Sequence, residues 1–301
     1  MPGAQSRRAG AGGYHHADHR RCQRSRSQRC FGALGQVVSV PGREINAATV
    51  RDADAWWCVR SLVDEDLVRD SRLRFVGTCT IGTDHVDTRA LSRHGIGFAS
   101  APGCNAEAVV DYVLASLATL AEREGFRLTE RRIGVIGVGN VGGRLLARLQ
   151  ALGIDCLACD PPRAEREGRT DFADLDTLVD RCDVLCLHTP LVQEGAHATR
   201  HLLDACRIAE LTPGTLVLNA GRGDCVDGQA LRGRLSGRGD IAAILDVWEN
   251  EPGIDAACAT KPSSPRRTCR LQLDGKLRGT HQIYRALARH VGLPAGWARR
   301  S

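Results

Sequence analysis

The sequence has no apolar run that approaches the ~20 residues of a membrane-spanning helix, although 43% of its 301 residues are hydrophobic. Its thirteen cysteines lack ligand-type spacing, and the Cys156-x-x-Cys159 pair lies inside a predicted strand. An odd cysteine count without a framework is typical of reduced thiols in a cytosolic protein. We therefore expect a soluble, cytoplasmic chain without a membrane segment, a disulfide framework or a metal site.

Basic residues concentrate at both ends of the chain, yet neither end has the interleaved aromatic residues or the motif of a nucleic-acid-binding segment. Residues 1–30 contain seven arginines and one acid, and residues 261–301 contain ten lysines and arginines and one acid. The first thirty residues also have neither helical nor strand periodicity. We expect a disordered, solvated segment over residues 1–30 and no nucleic-acid partner.

The most informative stretch combines a glycine-rich turn with a downstream acid. An apolar run over residues 133–136 precedes the turn, and a helical pattern and a second apolar run follow it. Glycines let backbone and phosphates approach closely, while an acid about 20 residues on suits the adenosine ribose. The stretch predicts an NAD site whose contacts are Gly137, Gly139, Asn140, Val141, Gly142 and Asp160.

Two other ligands could use the same motif. S-adenosylmethionine enzymes also combine a glycine loop with a ribose acid, so the downstream sequence has to separate the two classes. Asp160 should repel the 2′-phosphate of NADP, although Arg163 could partly offset that repulsion. The motif favours NAD over NADP.

Short apolar runs alternate with helical patterns from Phe31 onwards, and this alternation predicts a parallel sheet. The predicted strands outside the glycine motif are Gly35–Val40, Asp54–Val59, Arg74–Gly77, Asp183–Leu187, Thr215–Leu218 and Ile241–Leu245. A long apolar helix over Val109–Arg123 leads to the motif. We therefore expect an α/β protein with a Rossmann-type doubly wound parallel sheet.

Further stretches between about residues 37 and 252 carry a resemblance to a known family. They include Phe75–Asp87, Ala101–Ala106, His188–Pro190, Asn219–Gly223 and Leu245–Glu249. Together with the glycine motif, they resemble the NAD-dependent D-2-hydroxyacid dehydrogenases, and among them the erythronate-4-phosphate dehydrogenase branch. The resemblance implies NAD-dependent oxidation of a phosphorylated 2-hydroxy acid, 4-phospho-D-erythronate, in vitamin B6 biosynthesis.

The resemblance also implies a domain organisation. Residues 31–110 and 275–301 are expected to form a smaller flavodoxin-like α/β substrate domain around an NAD-binding domain at residues 111–262. Residues 263–274 form an atypical segment, and the active cleft is expected between the domains. Members of this branch are homodimers, and the sequence leaves the oligomeric state of this chain open.

Arg222 lies in a glycine-flanked loop after a predicted strand, where an open α/β sheet binds its ligands. Its planar fork suits a carboxylate, and the resemblance makes it the catalytic, substrate-binding arginine. Glu251 is implied as the catalytic carboxylate that orients the family's histidine. Asp246 is implied at the nicotinamide end of NAD, and Thr189 as another cofactor contact.

Hydroxyl side chains of the first domain are the implied substrate contacts. Ser61 and Thr80 match these positions, with hydroxyls that only satisfy local backbone as the alternative. Arg60 is an added candidate for the substrate phosphate, with a structural salt bridge as the alternative.

One part of the family pattern is missing from this chain. The family places its catalytic histidine just before a Gly-Lys-x-Arg-Gly-Thr segment, which is present here at Gly275–Thr280. Counting back from that segment puts Arg267 at the position of the histidine. Other histidines that could serve as the base are His281, His188 and His85. Two functions therefore stay open: the dehydrogenase, and an NAD-binding protein that lacks turnover.

Overall fold

The computed structural model describes residues 13–17, 30–32, 34–59, 61–250 and 273–293. These residues form two compact α/β units, and each contains a five-stranded sheet. The first unit comprises the described residues up to Asn105 together with the last helix, and the second begins at Ala106. The predicted fold class, a Rossmann-type parallel sheet with a further flavodoxin-like unit, is confirmed.

The described strands follow one another along the chain as β1 (Gly13–Ala17), β2 (Gln36–Val40), β3 (Ala53–Cys58), β4 (Phe75–Thr78), β5 (Gly97–Ala99), β6 (Ile133–Ile136), β7 (Cys156–Cys159), β8 (Val184–Leu187), β9 (Leu216–Asn219) and β10 (Ala242–Leu245). The described α-helices are α1 (Ala47–Val50), α2 (Glu65–Val68), α3 (Thr88–Arg93), α4 (Ala106–Glu124), α5 (Gly142–Ala151), α6 (Pro161–Glu167), α7 (Leu175–Arg181), α8 (Ala205–Glu210), α9 (Gly228–Gly237) and α10 (Leu273–His290). None of these helices is long and apolar enough to cross a membrane.

The first unit has the strand order β2-β1-β3-β4-β5, which is the flavodoxin order, and its paired strands are parallel. Helix α10 covers one face of this sheet. Ile283 of α10 occupies the space that a side chain at Gly77 in β4 would need. On the same face, the Phe31 ring stacks on Trp57 with 4.0 Å between ring centroids.

Within residues 1–30, strand β1 corrects the expectation for Gly13–Ala17. We predicted a disordered segment, whereas Gly13–Ala17 lies between β2 and β3, with Tyr14 opposite Val37 and His15 opposite Trp56. The strand has no alternation of apolar and polar residues, so periodicity could not identify it. Backbone pairing with a neighbour on each side places it in the sheet.

The second unit has the order β10-β9-β8-β6-β7, with parallel pairing throughout. Counted within the unit, this is again the flavodoxin order. One apolar cluster, which includes Val113, Leu145 and Val135, packs on one face, and a second, which includes Leu178, Leu185 and Ile208, packs on the other. The chain passes from β6 to β7 on one side of β6, and then crosses to β8 on the other side. Ligands of open α/β sheets bind at such a reversal, beyond the carboxyl ends of the strands.

One helix begins earlier than its apolar pattern indicated. Helix α4 starts at Ala106, whereas the pattern began at Val109. Ala106 and Ala108 of the first turn are buried, but such small side chains contribute little to an apolar pattern. The four helices α6 to α9 begin after Asp160, Asp174, Asp204 and Asp227, whose side chains each accept a backbone N–H of the first turn.

Candidate active site

The carboxyl ends of the second unit's strands carry the predicted site residues in a spatial series. The strand order places Asp160 after β7, the glycine turn after β6 and Thr189 after β8. Arg222 follows β9, and Asp246 follows β10. Residues far apart in sequence are therefore brought to one edge of the sheet, and the glycine turn lies at the reversal of strand order.

The glycines of the turn have different physical roles. Gly137 has φ +84°, and a Cβ there would come within 3.0 Å of the His188 carbonyl carbon. A Cβ at Gly142 would overlap the carbonyl oxygen of Gly137, so only glycine lets α5 start directly above the turn. Gly139 is exposed, and a Cβ added there would have no atom within 4 Å. The turn is packed from below and open at Gly139, as pyrophosphate binding requires.

Asn140 and Val141 complete the entry into α5. Asn140 is exposed beside Gly139, and Val141 is half-buried with its carbonyl accepting the N–H of Leu145 at 2.9 Å. Their position at the start of the helix places partial positive charge next to the open turn. Both residues therefore lie beside the open glycine turn, and their contact with a cofactor stays a prediction.

Asp160 joins the glycine turn to helix α6. One carboxylate oxygen accepts the N–H of Val138 at 2.8 Å, and the other accepts the N–H of Arg163 at 3.0 Å. Each oxygen keeps further acceptor capacity. The carboxylate is therefore fixed in orientation and still able to accept hydrogen bonds from ribose hydroxyls.

The Arg163 guanidinium does not offset Asp160 in the way the sequence suggested. Its Nε donates to both carboxylate oxygens of Glu167, at 2.9 and 3.0 Å, and its other arm donates to the Val138 carbonyl at 2.6 Å. The fork that could bind a 2′-phosphate is thus occupied by an acid and by the turn itself. This arrangement favours NAD.

Thr189 lies just after β8, between Gly137 and Gly221. A Cβ added at Gly221 would lie 3.1 Å from the backbone N and 2.9 Å from the backbone O of Thr189. A Cβ added at Gly137 would lie 2.9 Å from the methyl carbon of Thr189. The hydroxyl donates to the Cys225 thiol at 3.3 Å. Thr189 is buried, so its contribution to the edge is the shape of the backbone together with one engaged hydroxyl.

His188, which precedes Thr189, is a buried imidazole whose ring nitrogens have no hydrogen-bond partner within the described ranges. Burial lowers the pKa of His188 to about 4, so the ring is neutral at pH 7. The sequence offered His188 as an alternative base. A ring that resists protonation to this degree is a poor base at neutral pH.

Asn219 shapes the loop that carries Arg222, and no motif in the sequence pointed to this role. Its side-chain amide donates to the Arg222 carbonyl at 2.8 Å, and its side-chain oxygen accepts the N–H of Gly221 at 3.0 Å. Its backbone carbonyl accepts the N–H of Asp246 at 2.9 Å. Asn219 is buried, with 1% of its surface exposed, and it therefore links Arg222 and Asp246. The signal in the sequence that could have indicated this role was an amide residue directly after a predicted strand.

The first unit places Thr80 in a chain of hydrogen bonds at the end of β4. The Thr80 hydroxyl donates to the Gly82 carbonyl at 2.9 Å and lies 2.8 Å from the Thr78 hydroxyl. Thr78 also lies 2.9 Å from Nε2 of His85. Because the proton of Thr80 is donated to a carbonyl, Thr80 must accept from Thr78, and Thr78 from His85. Thr80 can therefore offer a ligand an acceptor but no proton.

The remaining predicted residues divide between described and undescribed parts of the chain. Ser61 is half-buried in the loop after β3, and its carbonyl accepts a weak bond from Cys58 at 3.9 Å. His281 lies on the exposed side of α10. Glu251, Arg60 and Arg267 lie outside the described residues.

Comparison with known proteins identifies the family. The model of the D-isomer specific 2-hydroxyacid dehydrogenase NAD-binding domain matches residues 111–264. Erythronate-4-phosphate dehydrogenase of Chromohalobacter salexigens is 58% identical over 269 residues, which cover 88% of this chain and 70% of the relative. The corresponding protein of Azotobacter vinelandii is 54% identical over 270 residues, with coverages of 88% and 70%.

Solved structures show the same fold at lower identity. D-lactate dehydrogenase from Aquifex aeolicus, complexed with NAD and lactic acid, has a TM-score of 0.79 at 21% identity and covers 93% of this chain and 95% of its own. NAD⁺-bound 3-phosphoglycerate dehydrogenase of Entamoeba histolytica has a TM-score of 0.78 at 18% identity, with coverages of 97% and 99%. The chain belongs to the D-isomer-specific 2-hydroxyacid dehydrogenase family, in its erythronate-4-phosphate dehydrogenase branch.

Proposed function

We propose that this chain oxidises 4-phospho-D-erythronate to 2-oxo-3-hydroxy-4-phosphobutanoate with NAD, as a step of pyridoxal phosphate biosynthesis. The observation that carries this proposal is the series of groups along the strand ends, from the acid Asp160 through the open glycine turn to the Arg222 loop. A dinucleotide laid along this edge ends beside a group that suits a carboxylate. Family membership favours the dehydrogenase over an NAD-binding protein without turnover.

The residues of the second unit fit a bound NAD. When bound, NAD would supply the nicotinamide that accepts hydride from the substrate. Asp160 would accept hydrogen bonds from the adenosine ribose, and the exposed backbone at Gly139 and Asn140 would hold the pyrophosphate. Thr189 and Asp246, two and four strands from Asp160 in the sheet order, would line the nicotinamide half.

Substrate binding would depend on charge and hydroxyl groups. The Arg222 fork would bind the carboxylate through two parallel hydrogen bonds, and its loop is braced by Asn219. Thr80 would accept a hydrogen bond from a substrate hydroxyl, because its own proton is already donated. Ser61 is proposed as a second substrate contact, and Arg60 as a partner of the phosphate.

Removal of the hydroxyl proton is the step for which this chain departs from the family pattern. The position of the expected base holds Arg267, and arginine stays protonated at neutral pH. Glu251 is proposed as the acid that would orient a histidine there. We therefore expect proton transfer to limit turnover, while NAD and the substrate carboxylate still bind.

NADH titration by fluorescence, followed by NAD reduction with 4-phospho-D-erythronate, tests the proposal. We expect tighter binding of NADH than of NADPH, and faster turnover of the phosphorylated substrate than of D-lactate. Replacing Arg222 with Ala should abolish turnover and leave the Kd of NADH unchanged. Arg222→Lys should keep part of the activity, because the lysine ammonium still supplies a positive charge for the substrate carboxylate. NADH binding without turnover would support the alternative function, and absence of NADH binding would overturn the proposal.

We further propose a cytoplasmic location. The cysteines within the described ranges form no disulfide bond with one another, as is usual in a reducing compartment. Cell fractionation with detection of the chain would test this, and recovery from an oxidising compartment would contradict it.

A further inference from the structure

We propose that His201 and Glu249 are positioning residues that brace the Arg222 loop against the segment after β10. The inference rests on the proposed function, because it concerns the loop that would hold the substrate carboxylate. Neither residue was predicted from the sequence. Both lie in the second unit, and neither is assigned to contact NAD or substrate.

The Glu249 carboxylate is held at both oxygens. One oxygen lies 2.6 Å from Nε2 of His201, and the other accepts the N–H of Gly228 at 3.0 Å. Because a carboxylate only accepts, Nε2 of His201 must carry the proton. Gly228 is the first residue of α9, so the negative charge also lies at the favourable end of a helix. The Glu249 side chain is only 19% exposed, which limits competition from water.

Backbone strain points to the same pair. Within the described ranges, His201 and Asn250 are the non-glycine residues with positive φ, at +48° and +61°. His201 is one partner of the pair, and Asn250 directly follows Glu249. Such conformations are unfavourable and persist where surrounding contacts fix them. Two of them beside one hydrogen-bonded pair indicate that both backbone segments are held in place there.

The pair closes a ring of contacts around the Arg222 loop. The His201 N–H donates to the carbonyl of Asp224 at 2.8 Å, two residues beyond Arg222. A Cβ at Gly223 would overlap the Trp248 carbonyl, so the loop and the segment after β10 are in direct backbone contact. The loop is thus fixed to this segment by backbone on one side and by the His201–Glu249 bond on the other. A shift of either partner would move the arginine.

A second His–Glu pair of the same unit provides a matched control. Nε2 of His197 lies 2.9 Å from a carboxylate oxygen of Glu165, whose side chain is 68% exposed. Neither residue has a positive φ, and neither contacts the Arg222 loop through a described hydrogen bond. Loss of this pair should remove a surface contact of little energetic value.

The experiment compares full-length variants in two measurements. His201→Ala and Glu249→Ala should each lower kcat/KM for 4-phospho-D-erythronate about tenfold to a hundredfold, mostly through KM, because small misplacements of a binding group are costly. The Kd of NADH should change by less than about twofold, since loss of one hydrogen bond away from the glycine turn leaves that turn intact. His201→Gln, which keeps a donor, should recover part of the loss, and His197→Ala should match wild type.

Amide hydrogen exchange measures the order of the Arg222 loop independently of enzyme activity. Faster exchange in peptides over residues 219–227 and 246–249, with unchanged exchange over residues 137–142, would support the brace. Unchanged exchange in the His201→Ala variant, or equal loss of NADH and substrate binding, would overturn it. Failure of wild type to bind NADH would overturn the proposed function, and the exchange data would still decide on the brace.

Discussion

The two units share one strand order and differ in what their strand ends carry. In the second unit, glycines at 137, 142, 221 and 223 let backbone segments approach where a Cβ would collide. In the first unit, the end of β4 carries a relay of side chains, from His85 through Thr78 to Thr80. One topology thus supports a surface of backbone amides in one unit and a surface of hydroxyl groups in the other.

This difference suggests a division of labour. Backbone amides at a helix start suit a phosphate pair, which is common to every turnover. Hydroxyl side chains can hydrogen-bond to the specific oxygen atoms of one substrate, and substituting such a side chain leaves the backbone unchanged. If the division holds, changes in the second unit's turn should alter NADH affinity, and changes in the first unit's relay should alter only substrate affinity.

The largest effect is expected from the stretch around Arg267, where the family has its catalytic histidine. Replacing residues 265–273 with a Pro-His-x-Ala-Gly-Tyr-Ser segment should raise kcat by ~10² to 10⁴, since this is what a positioned general base contributes. NADH affinity, measured by fluorescence, should stay within about threefold of wild type because the glycine turn is unchanged.

Arg222→Ala in the repaired chain serves as its control and should abolish the gain. A wild-type kcat near ~10 s⁻¹, the middle of the usual enzyme range, would contradict the prediction. That result would point to His281 or another histidine as the base.

Acid should destabilise the second unit through His188. The pKa of His188 is about 4 in the folded chain because of burial, against about 6.5 when unfolded. The unfolded state therefore binds the proton first, so the free energy of unfolding should fall as pH drops from about 6.5 towards 4, by up to about 3 kcal/mol. Chemical denaturation across this window should show that slope in wild type and lose it in His188→Leu.

His197→Gln is the control for that slope, because it replaces a histidine of the same unit whose side chain is 34% exposed. This variant should keep the wild-type dependence on pH. An identical slope in His188→Leu and wild type would mean that other groups set the acid response.

Gly142→Ala should separate packing at the turn from helix propensity. The added methyl would overlap the Gly137 carbonyl, so we expect a loss of about 1–3 kcal/mol in the free energy of unfolding. The displaced turn should also cost about 1.4 kcal/mol of NADH binding free energy, which corresponds to a tenfold rise in Kd. Thermal unfolding and NADH titration measure the two effects.

Gly143→Ala tests the same exchange one residue further along α5. The nearest atoms to its Cβ lie at 3.6 and 3.9 Å, so the methyl fits and should stabilise the helix slightly. Equal effects of the two variants would refute the role assigned to the close approach at Gly142.

Thr78→Val should give the smallest effect, confined to the substrate. Thr78 is fully buried, and its loss leaves Thr80 without its donor. We expect a KM for 4-phospho-D-erythronate about three to ten times higher, as for one lost hydrogen bond, with the NADH Kd unchanged. Thr119→Val, which removes an exposed hydroxyl bonded within its own helix, should match wild type. A raised NADH Kd in Thr78→Val would break the division between the two units.

Local pattern was sufficient for most of the fold. The apolar runs predicted β2, β3, β4 and the strands of the second unit, because apolar residues dominate each of these short stretches. Strand β1 escaped detection because its residues do not alternate, and β5 because it has only three residues; both owe their place to pairing with neighbours. The order of the strands, and hence the edge that collects the site, is a property of the whole sheet.

The sequence by itself determined the α/β class, the glycine turn with its acid, and the family, because these depend on residue types at short spacing. Only the tertiary structure decided that Glu167 occupies the fork of Arg163, that Asn219 joins Arg222 to Asp246, and that His201 pairs with Glu249. The His201–Glu249 contact spans 48 positions along the chain. Such contacts arise when strands align side by side, and no local periodicity records which distant residues will meet.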